Sequence, residues 1–137
     1  MVLTGHCLCG SISYTCDAGP TLTAVCHCTN CQRQTGTASS IIVGVPDAAL
    51  RIEGDTLRTF ATVGEDHQTT TNRSFCSACG SPIVSRIEAM PDLAFIKAGT
   101  LDDTSWLNPT TEVWCRSAQP WVPTIPGATR LERGPGA

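Results

Sequence analysis

The sequence lacks the segments that direct a chain into a membrane or out of the cell. No apolar stretch approaches the length that spans a bilayer, and residues 1–25 contain no basic segment followed by a long apolar run. The formal net charge of −3 over 137 residues provides no basic surface for nucleic acid. These absences predict a cytoplasmic protein that binds neither membrane nor nucleic acid, in a reducing compartment where thiols stay free to bind metal.

Helical periodicity is also scarce. Short runs rich in Val, Ile, Thr and aromatic residues recur between Gly, Pro and Asp breaks, which is the pattern of β-strands. We therefore predict one mainly β domain over residues 1–122 and a tail at residues 123–137, without strand or helix pattern, that is expected to be mobile. The predicted strands are Ser11–Cys16, Val25–Cys26, Ser39–Val45, Leu50–Glu53, Leu57–Val63, Gln68–Phe75, Pro82–Ile87, Leu93–Ala98 and Thr111–Cys115.

Cysteine, by contrast, is abundant and clustered. Seven of the nine cysteines fall into three short segments, which hold Cys7 and Cys9, then Cys26, Cys28 and Cys31, and finally Cys76 and Cys79. Thiolates at such spacings suit Zn²⁺, which takes four ligands in a structural site and three plus an open position in a catalytic site. Three cysteines within six residues can surround one metal from a single loop and leave its fourth corner free.

The two remaining pairs supply two ligands each, and each pair is followed by a glycine, Gly10 or Gly80, that can take a positive φ and let the chain turn past a metal. We therefore predict two zinc ions per chain. The closed site consists of Cys7, Cys9, Cys76 and Cys79, and the open site consists of Cys26, Cys28 and Cys31.

Three other uses of these cysteines were weighed. Disulfides fit poorly with an odd number of cysteines, a missing signal peptide and the strained ring that a Cys-X-Cys bridge would close. The spacings match neither the bacterial nor the plant-type pattern of iron–sulfur ligands. A thioredoxin-like site at Cys76 and Cys79 would need a following helix, and the sequence predicts none there.

One local helix signal accompanies the open site. Thr29 is followed three residues later by Gln32, which is the spacing of a capping box. A single turn over Asn30–Gln34, closed by Gly36, would direct Cys31 back toward the other two cysteines of the open site. Its N-terminus would bring partial positive charge and free N–H groups close to the thiolates.

The open site predicts sulfur chemistry. Three thiolates on Zn²⁺ leave a net charge of −1, which makes the metal a weak source of hydroxide and a better holder of a soft ligand. A substrate thiol in the fourth position would lose its proton and become a nucleophile for a carbonyl carbon, so that a C–S bond forms or, in reverse, is cleaved. Polarisation of a carbonyl oxygen by zinc is the alternative.

Residues outside the clusters have candidate roles as well. His27 could be a fourth ligand, a proton shuttle or a plain hydrogen-bonded histidine, and strand alternation favours its pointing away from the metal. Arg33 and Arg73 could each bind a substrate carboxylate through the bidentate guanidinium. Cys16 and Cys115 are expected to be small buried hydrophobic residues.

Four motifs in this order resemble one known family, the glutathione-dependent formaldehyde-activating enzymes, also called the centromere protein V family. The motifs are Gly5–Gly10 (GHCLCG), Cys26–Cys31 (CHCTNC), Phe75–Ser81 (FCSACGS), and Glu112–Trp114 followed by Pro120–Trp121. The resemblance implies a β-tent fold of antiparallel sheets, stapled by a structural zinc on the closed site, with a catalytic zinc on the open site.

The resemblance also implies an activity, because the family's named enzyme is S-(hydroxymethyl)glutathione synthase, which joins formaldehyde and glutathione. We therefore expect a zinc-dependent carbon–sulfur lyase acting on thiol–aldehyde adducts. Its partners would be a small thiol, glutathione or similar, and an aldehyde or thioether adduct. The alternative is a zinc-stabilised, non-catalytic binding module whose second metal is completed by His27 or Cys115.

Overall fold

The computed structural model describes residues 1–64 and 69–134, and this part of the chain is mainly β with one short α-helix, as predicted. Three 3-10 turns, at Asp47–Ala49, Ala98–Thr100 and Cys115–Ser117, complete the regular structure. The helix α1 is Thr29–Thr35, and the strands are β1 Leu3–His6, β2 Ser13–Cys16, β3 Leu22–Cys26, β4 Ser40–Pro46, β5 Leu50–Glu53, β6 Leu57–Val63, β7 Thr70–Cys76, β8 Pro82–Ile87, β9 Leu93–Lys97, β10 Thr111–Val113 and β11 Thr129–Arg130.

The described strands form two sheets. A three-stranded antiparallel sheet has the order β1-β2-β5, and an eight-stranded sheet has the order β11-β10-β3-β4-β9-β8-β7-β6. Neighbouring strands are antiparallel except that β10 runs parallel to both β3 and β11. Parallel neighbours need long connections. Residues 27–110 separate β3 from β10, and residues 114–128 separate β10 from β11.

The core lies between the two sheets. In the small sheet and the turn before it, Ile12, Tyr14 and Cys16 are all buried, as their alternation predicts. They belong to one apolar cluster with Val43 and Val45 on the inward face of β4. Because successive side chains of a strand point to opposite faces, the β4 residues that alternate with Val43 and Val45 lie on the other face of the large sheet.

That opposite face carries the functional residues. Phe95 lies beside Gly44 across the β4–β9 pair, and Lys97, two positions further on, lies beside Ile42. On the next strand pair, Arg73 lies beside Ser85. One face of the large sheet therefore packs the core, while the other supports polar and charged groups.

Two strands were not predicted, β1 and β11. The latter lies within the segment 123–137, for which the sequence analysis expects no strand. The domain boundary at residue 122 and the mobility of the tail stay predictions, and residues 135–137 and Gln68, the first residue of one predicted strand, lie outside the described residues. No helix in the described part of the chain is long and apolar enough to cross a membrane.

Candidate metal centres and an adjoining cavity

The first candidate centre consists of Cys7, Cys9, Cys76 and Cys79, hereafter the four-cysteine cluster. The four sulfur atoms all lie within 4.8 Å of one another. The Cys7–Cys9 sulfur separation is 3.6 Å and the Cys9–Cys76 separation is 3.8 Å. A tetrahedron with zinc–sulfur bonds of about 2.3 Å has edges of about 3.8 Å, so this cluster fits a tetrahedral metal.

Two tight turns build the four-cysteine cluster. Gly10 and Gly80 follow the two cysteine pairs and adopt φ values of 82° and 83°, the left-handed region that the sequence analysis assigns to them. The turns are joined by a hydrogen bond of 3.0 Å from the Leu8 N–H to the Ser81 hydroxyl. This bond holds the N-terminal turn against the turn that follows β7.

Hydroxyl groups surround the sulfurs of the four-cysteine cluster. Ser11 and Thr56 lie 3.2 Å and 3.3 Å from the Cys76 sulfur, and their hydrogen bonds lower the pKa of Cys76 to about 5. The Ser81 hydroxyl lies 3.3 Å from the Cys79 sulfur and lowers the pKa of that thiol to about 7. Since metals bind the thiolate, these hydroxyls favour the metal-binding form of Cys76 and Cys79.

The second candidate centre consists of Cys26, Cys28 and Cys31, hereafter the three-cysteine cluster. Cys26 ends β3, Cys28 caps α1, and Cys31 lies in the first turn of that helix. All three are buried, and their sulfur atoms lie within 4.8 Å of one another. A strand end and a helix start three residues apart in the sequence thus direct three thiols to one point.

The helix begins differently from the capping box that Thr29 and Gln32 predict. The N-cap is Cys28, whose sulfur accepts a hydrogen bond of 3.2 Å from the Cys31 N–H. The Gln32 side chain instead donates to the carbonyl oxygens of His27 and Ser117, at 2.7 Å and 3.0 Å. The Cys28 sulfur takes the place of a hydroxyl here because the first turn curls around it. The predicted end at Gly36 is confirmed.

Hydrogen bonds and cations set the charge of the three-cysteine cluster. Hydrogen bonds from Cys26 and Cys28, followed by the positive charges of Lys97 and Arg73, lower the pKa of Cys31. The same sharing raises the pKa of Cys26. Arg73 contacts the cluster directly, because its Nη1 lies 3.6 Å from the Cys31 sulfur. The cluster therefore carries negative charge that two cations offset.

Neither residue suggested to complete the second centre belongs to it. Among residues 1–64 and 69–134, no further Cys, His, Asp or Glu joins the three sulfurs within the same distance. The His27 ring places Nε2 2.8 Å from Glu112 Oε1, and the Cys115 thiol donates to the Glu112 carbonyl oxygen at 3.5 Å. His27 points away from the cluster, as strand alternation predicts. Cys16 lies in the core.

The three cysteines line a cavity of about 350 Å³. Trp114 forms part of its wall with φ at 58°, which is unusual for a residue other than glycine and is a form of local strain that clusters at functional sites. The polar lining includes Arg73, Ser85 and Lys97, all less than 10% exposed. Its apolar lining includes Ile42, Ile87, Ala89, Met90, Phe95 and Trp114.

A buried acid links the three-cysteine cluster to the C-terminal segment. Besides His27, Glu112 accepts hydrogen bonds from Arg130 Nη1 at 2.6 Å and from the Ile125 N–H at 3.1 Å. Burial opposes ionisation of Glu112, but the hydrogen bonds from His27, Ile125 and Arg130 together hold its pKa below the usual value. The ion pair between Glu112 and Arg130 holds β11, and the segment before it, close to His27, which lies between Cys26 and Cys28.

Three residues near the cluster received no role from the sequence: Lys97, Ser85 and Glu112. A signal existed for Lys97, because it is the only lysine and ends an otherwise apolar strand, Leu93–Lys97, on the same face as Phe95. Of the two arginines named as candidates, Arg73 is buried beside the cluster, whereas Arg33 is exposed and does not line the cavity.

Comparisons with known proteins agree with this geometry. A sequence profile described as glutathione-dependent formaldehyde-activating enzyme matches residues 2–117. A crystal structure of a Rhodobacter sphaeroides protein aligns with 77% of this chain and 91% of that chain, at a TM-score of 0.58 and 20% identity, which shows a shared fold alone. The search of curated proteins found no match. Because the profile spans most of the sequence, the chain belongs to the glutathione-dependent formaldehyde-activating enzyme family.

Proposed function

We propose that this protein is a zinc-dependent carbon–sulfur lyase that forms or cleaves thiol–aldehyde adducts, in the manner of S-(hydroxymethyl)glutathione synthase. One observation carries the proposal. The three-cysteine cluster has three protein ligands within the described residues and lines a cavity, which is the arrangement of a catalytic zinc with one free position. The four-cysteine cluster would hold a second, structural zinc.

The donor set supports zinc in both clusters. Seven thiols, with no carboxylate or histidine among them, form a soft ligand set that suits zinc and disfavours magnesium or calcium. When bound to the three-cysteine cluster, zinc would supply a position in which a substrate thiol is held as its thiolate. A reducing cytoplasm would keep the ligands available, and that location stays a prediction.

The residues of the cavity have roles that fit addition to a carbonyl group. As the sulfur of the thiolate bonds to the carbonyl carbon, the carbonyl π electrons move to the oxygen, which then takes up the proton that the thiol had released. Arg73 and Lys97 carry N–H donors into the cavity and would stabilise that charge. In the reverse direction the hydroxyl proton leaves, the C–S bond breaks, and thiol and aldehyde are regenerated.

The apolar wall serves the same chemistry. Side chains such as Phe95 and Met90 narrow the cavity and limit the water in it, which strengthens the interaction between the cations and a charged oxygen. The partners expected on this basis are a small thiol, glutathione or similar, and an aldehyde or thioether adduct. The non-catalytic alternative draws no support from His27 or Cys115, since both bond to Glu112.

Exchange spectroscopy tests the activity. Glutathione and ¹³C-formaldehyde combine spontaneously, so the rate of ¹³C exchange between formaldehyde hydrate and the hydroxymethyl adduct is measured with and without zinc-loaded protein. We expect exchange above the spontaneous rate with the wild type, only the spontaneous rate with Cys28→Ser, and the wild-type rate with Cys115→Ser, which replaces a thiol outside both clusters. Exchange at the spontaneous rate for every thiol and aldehyde pair tested would contradict the lyase assignment.

A further inference from the structure

Three polar residues of the cavity lie on one face of the large sheet. Arg73 on β7 and Ser85 on β8 are register partners, and Ser85 is in turn the partner of Phe95 on β9. Lys97 lies two positions beyond Phe95 and therefore on the same face. The sheet register thus brings together side chains from three consecutive strands.

The Ser85 hydroxyl has no hydrogen-bond partner within residues 1–64 and 69–134, although the residue is only 6% exposed. Buried hydroxyl groups are nearly always paired, because leaving one unpaired costs the free energy of its lost hydration. Ser85 lines the cavity beside Arg73 and Lys97. A ligand oxygen in the cavity would supply the missing partner.

The two cations also have donors to spare. The recorded bonds of Arg73 engage Nε with Thr62 and Nη1 with Gln34 and Cys31, so Nη2 stays available. Lys97 Nζ donates to Ser40 at 2.9 Å and retains two further N–H bonds. No carboxylate of the described residues lies within ion-pair distance of either cation.

The charges favour an anion of low charge. Zinc with three thiolates carries −1, a bound substrate thiolate would make this −2, and Arg73 with Lys97 balances it with +2. A carboxylate would then add one negative charge and matches the guanidinium fork, whereas a phosphate dianion would add two.

We infer, building on the proposed thiol chemistry, that Arg73, Ser85 and Lys97 form a carboxylate-binding site, and that the thiol this protein handles carries a carboxylate within a few bonds of its sulfur. Arg73 Nη1 is 3.6 Å from the Cys31 sulfur, so a ligand sulfur bound at the cluster and a carboxylate bound to the arginine would belong to one short molecule.

Calorimetric titration of the zinc-loaded full-length protein tests the inference with two matched thiols, mercaptoacetate and the neutral 2-mercaptoethanol. We expect mercaptoacetate to bind at least about tenfold more tightly, since a hydrogen bond to a charged group contributes that much affinity. Arg73→Gln and Lys97→Met should remove this preference, and Ser85→Ala should reduce it a few-fold. Retained binding of 2-mercaptoethanol shows that each variant is folded, and the exposed Arg33→Gln should behave like the wild type.

A thiol-free probe separates this inference from the proposed function. Propanoate, compared with propanamide, should bind to the wild type and not to Arg73→Gln. Equal affinity for the two thiols would overturn the carboxylate site while leaving thiol binding intact. If neither thiol binds, the proposed function fails, and propanoate alone decides: binding that Arg73→Gln abolishes keeps the carboxylate site, and absence of binding overturns it.

Discussion

The two cysteine clusters differ in how the chain builds them and in what surrounds them. The four-cysteine cluster joins segments that are 67 residues apart, as measured from Cys9 to Cys76, and its neighbours are neutral hydroxyls. The three-cysteine cluster comes from one short segment, and its neighbours are the cations Arg73 and Lys97. The first arrangement ties distant parts of the fold together, whereas the second presents a charged, cavity-lining site.

Each cluster also has a histidine next to one of its cysteines, and these histidines differ in the same way. His6 precedes Cys7 and lies 3.4 Å from Asp102, with 59% and 44% of the two side chains exposed. His27 precedes Cys28 and lies 2.8 Å from Glu112, with both side chains 2% exposed. The contact beside the four-cysteine cluster is therefore open to solvent, while the contact beside the three-cysteine cluster is part of the interior.

The largest effect is expected from Cys79→Ser, which removes a ligand from the four-cysteine cluster. Structural zinc contributes on the order of 10 kcal/mol to folding in isolated fingers, which is comparable to the whole stability of a domain. We expect this variant to be insoluble or to melt far below the wild type. Zinc analysis and thermal unfolding of any soluble fraction measure the effect.

The second-largest effect is expected from Cys28→Ser, which should lower activity more than stability. Serine is a good N-cap, so the hydroxyl can still accept from the Cys31 N–H and α1 should persist. The loss of one thiolate should lower zinc content from two equivalents to about one and reduce the catalysed part of adduct exchange by at least about 100-fold, more than loss of an outer-shell partner costs. If Cys28→Ser is less stable than Cys79→Ser, the roles of the two clusters are reversed.

A smaller effect is expected from Glu112→Gln, which keeps the shape of the side chain but removes its charge. Weakened bonds to His27 and Arg130 should lower the free energy of unfolding by about 1–3 kcal/mol. Hydrogen exchange at the Leu131 N–H, which donates to the Glu112 carbonyl oxygen, should accelerate, and urea unfolding gives the stability.

The difference in unfolding free energy between the wild type and Glu112→Gln should depend on pH with a defined sign. Because the pKa of Glu112 is lowered in the folded protein, its charge stabilises the fold above the ordinary glutamate pKa of about 4.3, and this contribution is lost as the pH falls through the folded value. The stability difference between wild type and Glu112→Gln should therefore be constant near neutral pH and shrink in acid. A difference that grows in acid would contradict this account.

The smallest effect is expected from Asp102→Asn beside the four-cysteine cluster. The exposed contact with His6 is screened by solvent, so the free energy of unfolding should change by less than about 1 kcal/mol. Comparing Asp102→Asn with Glu112→Gln in the same urea titrations isolates burial as the cause of the difference. Equal losses of stability would remove the contrast between the two histidines.

Local patterns made much of the fold predictable. The bounds of β5, β6 and β8 agree with the sequence analysis because their apolar runs end at turn residues. β1 was not predicted because it contains Gly5, and glycine weakens a strand pattern. The glycine is required by a tertiary contact, since a Cβ at this position would lie 2.2 Å from Tyr14 Oη. β11 has two residues, and only its pairing with β10 makes it a strand.

The site divides in the same way between local and long-range information. The seven clustered cysteines can be recognised in the sequence as candidate metal ligands, because such ligands recur at short spacings within turns. The cavity does not, because the meeting of Arg73 with Ser85 depends on the register of β7 against β8. The role of Glu112, which the sequence shows only as part of a family motif, is likewise set by the fold, since His27, just after β3, and Arg130, on β11, reach it only in the folded sheet. Sequence spacing identifies candidate ligands, whereas sheet register determines what surrounds them.

Cobalt substitution provides the most direct test of the central claim, that one cluster is closed and the other open. Thiols are titrated into the cobalt-loaded protein while the ligand-field and sulfur-to-metal charge-transfer bands are recorded. We predict that the bands of the three-cysteine cluster shift, because soft sulfur suits its free position, and that those of the four-cysteine cluster do not change. If no thiol changes the bands of wild-type protein that carries two cobalt ions, the account is contradicted.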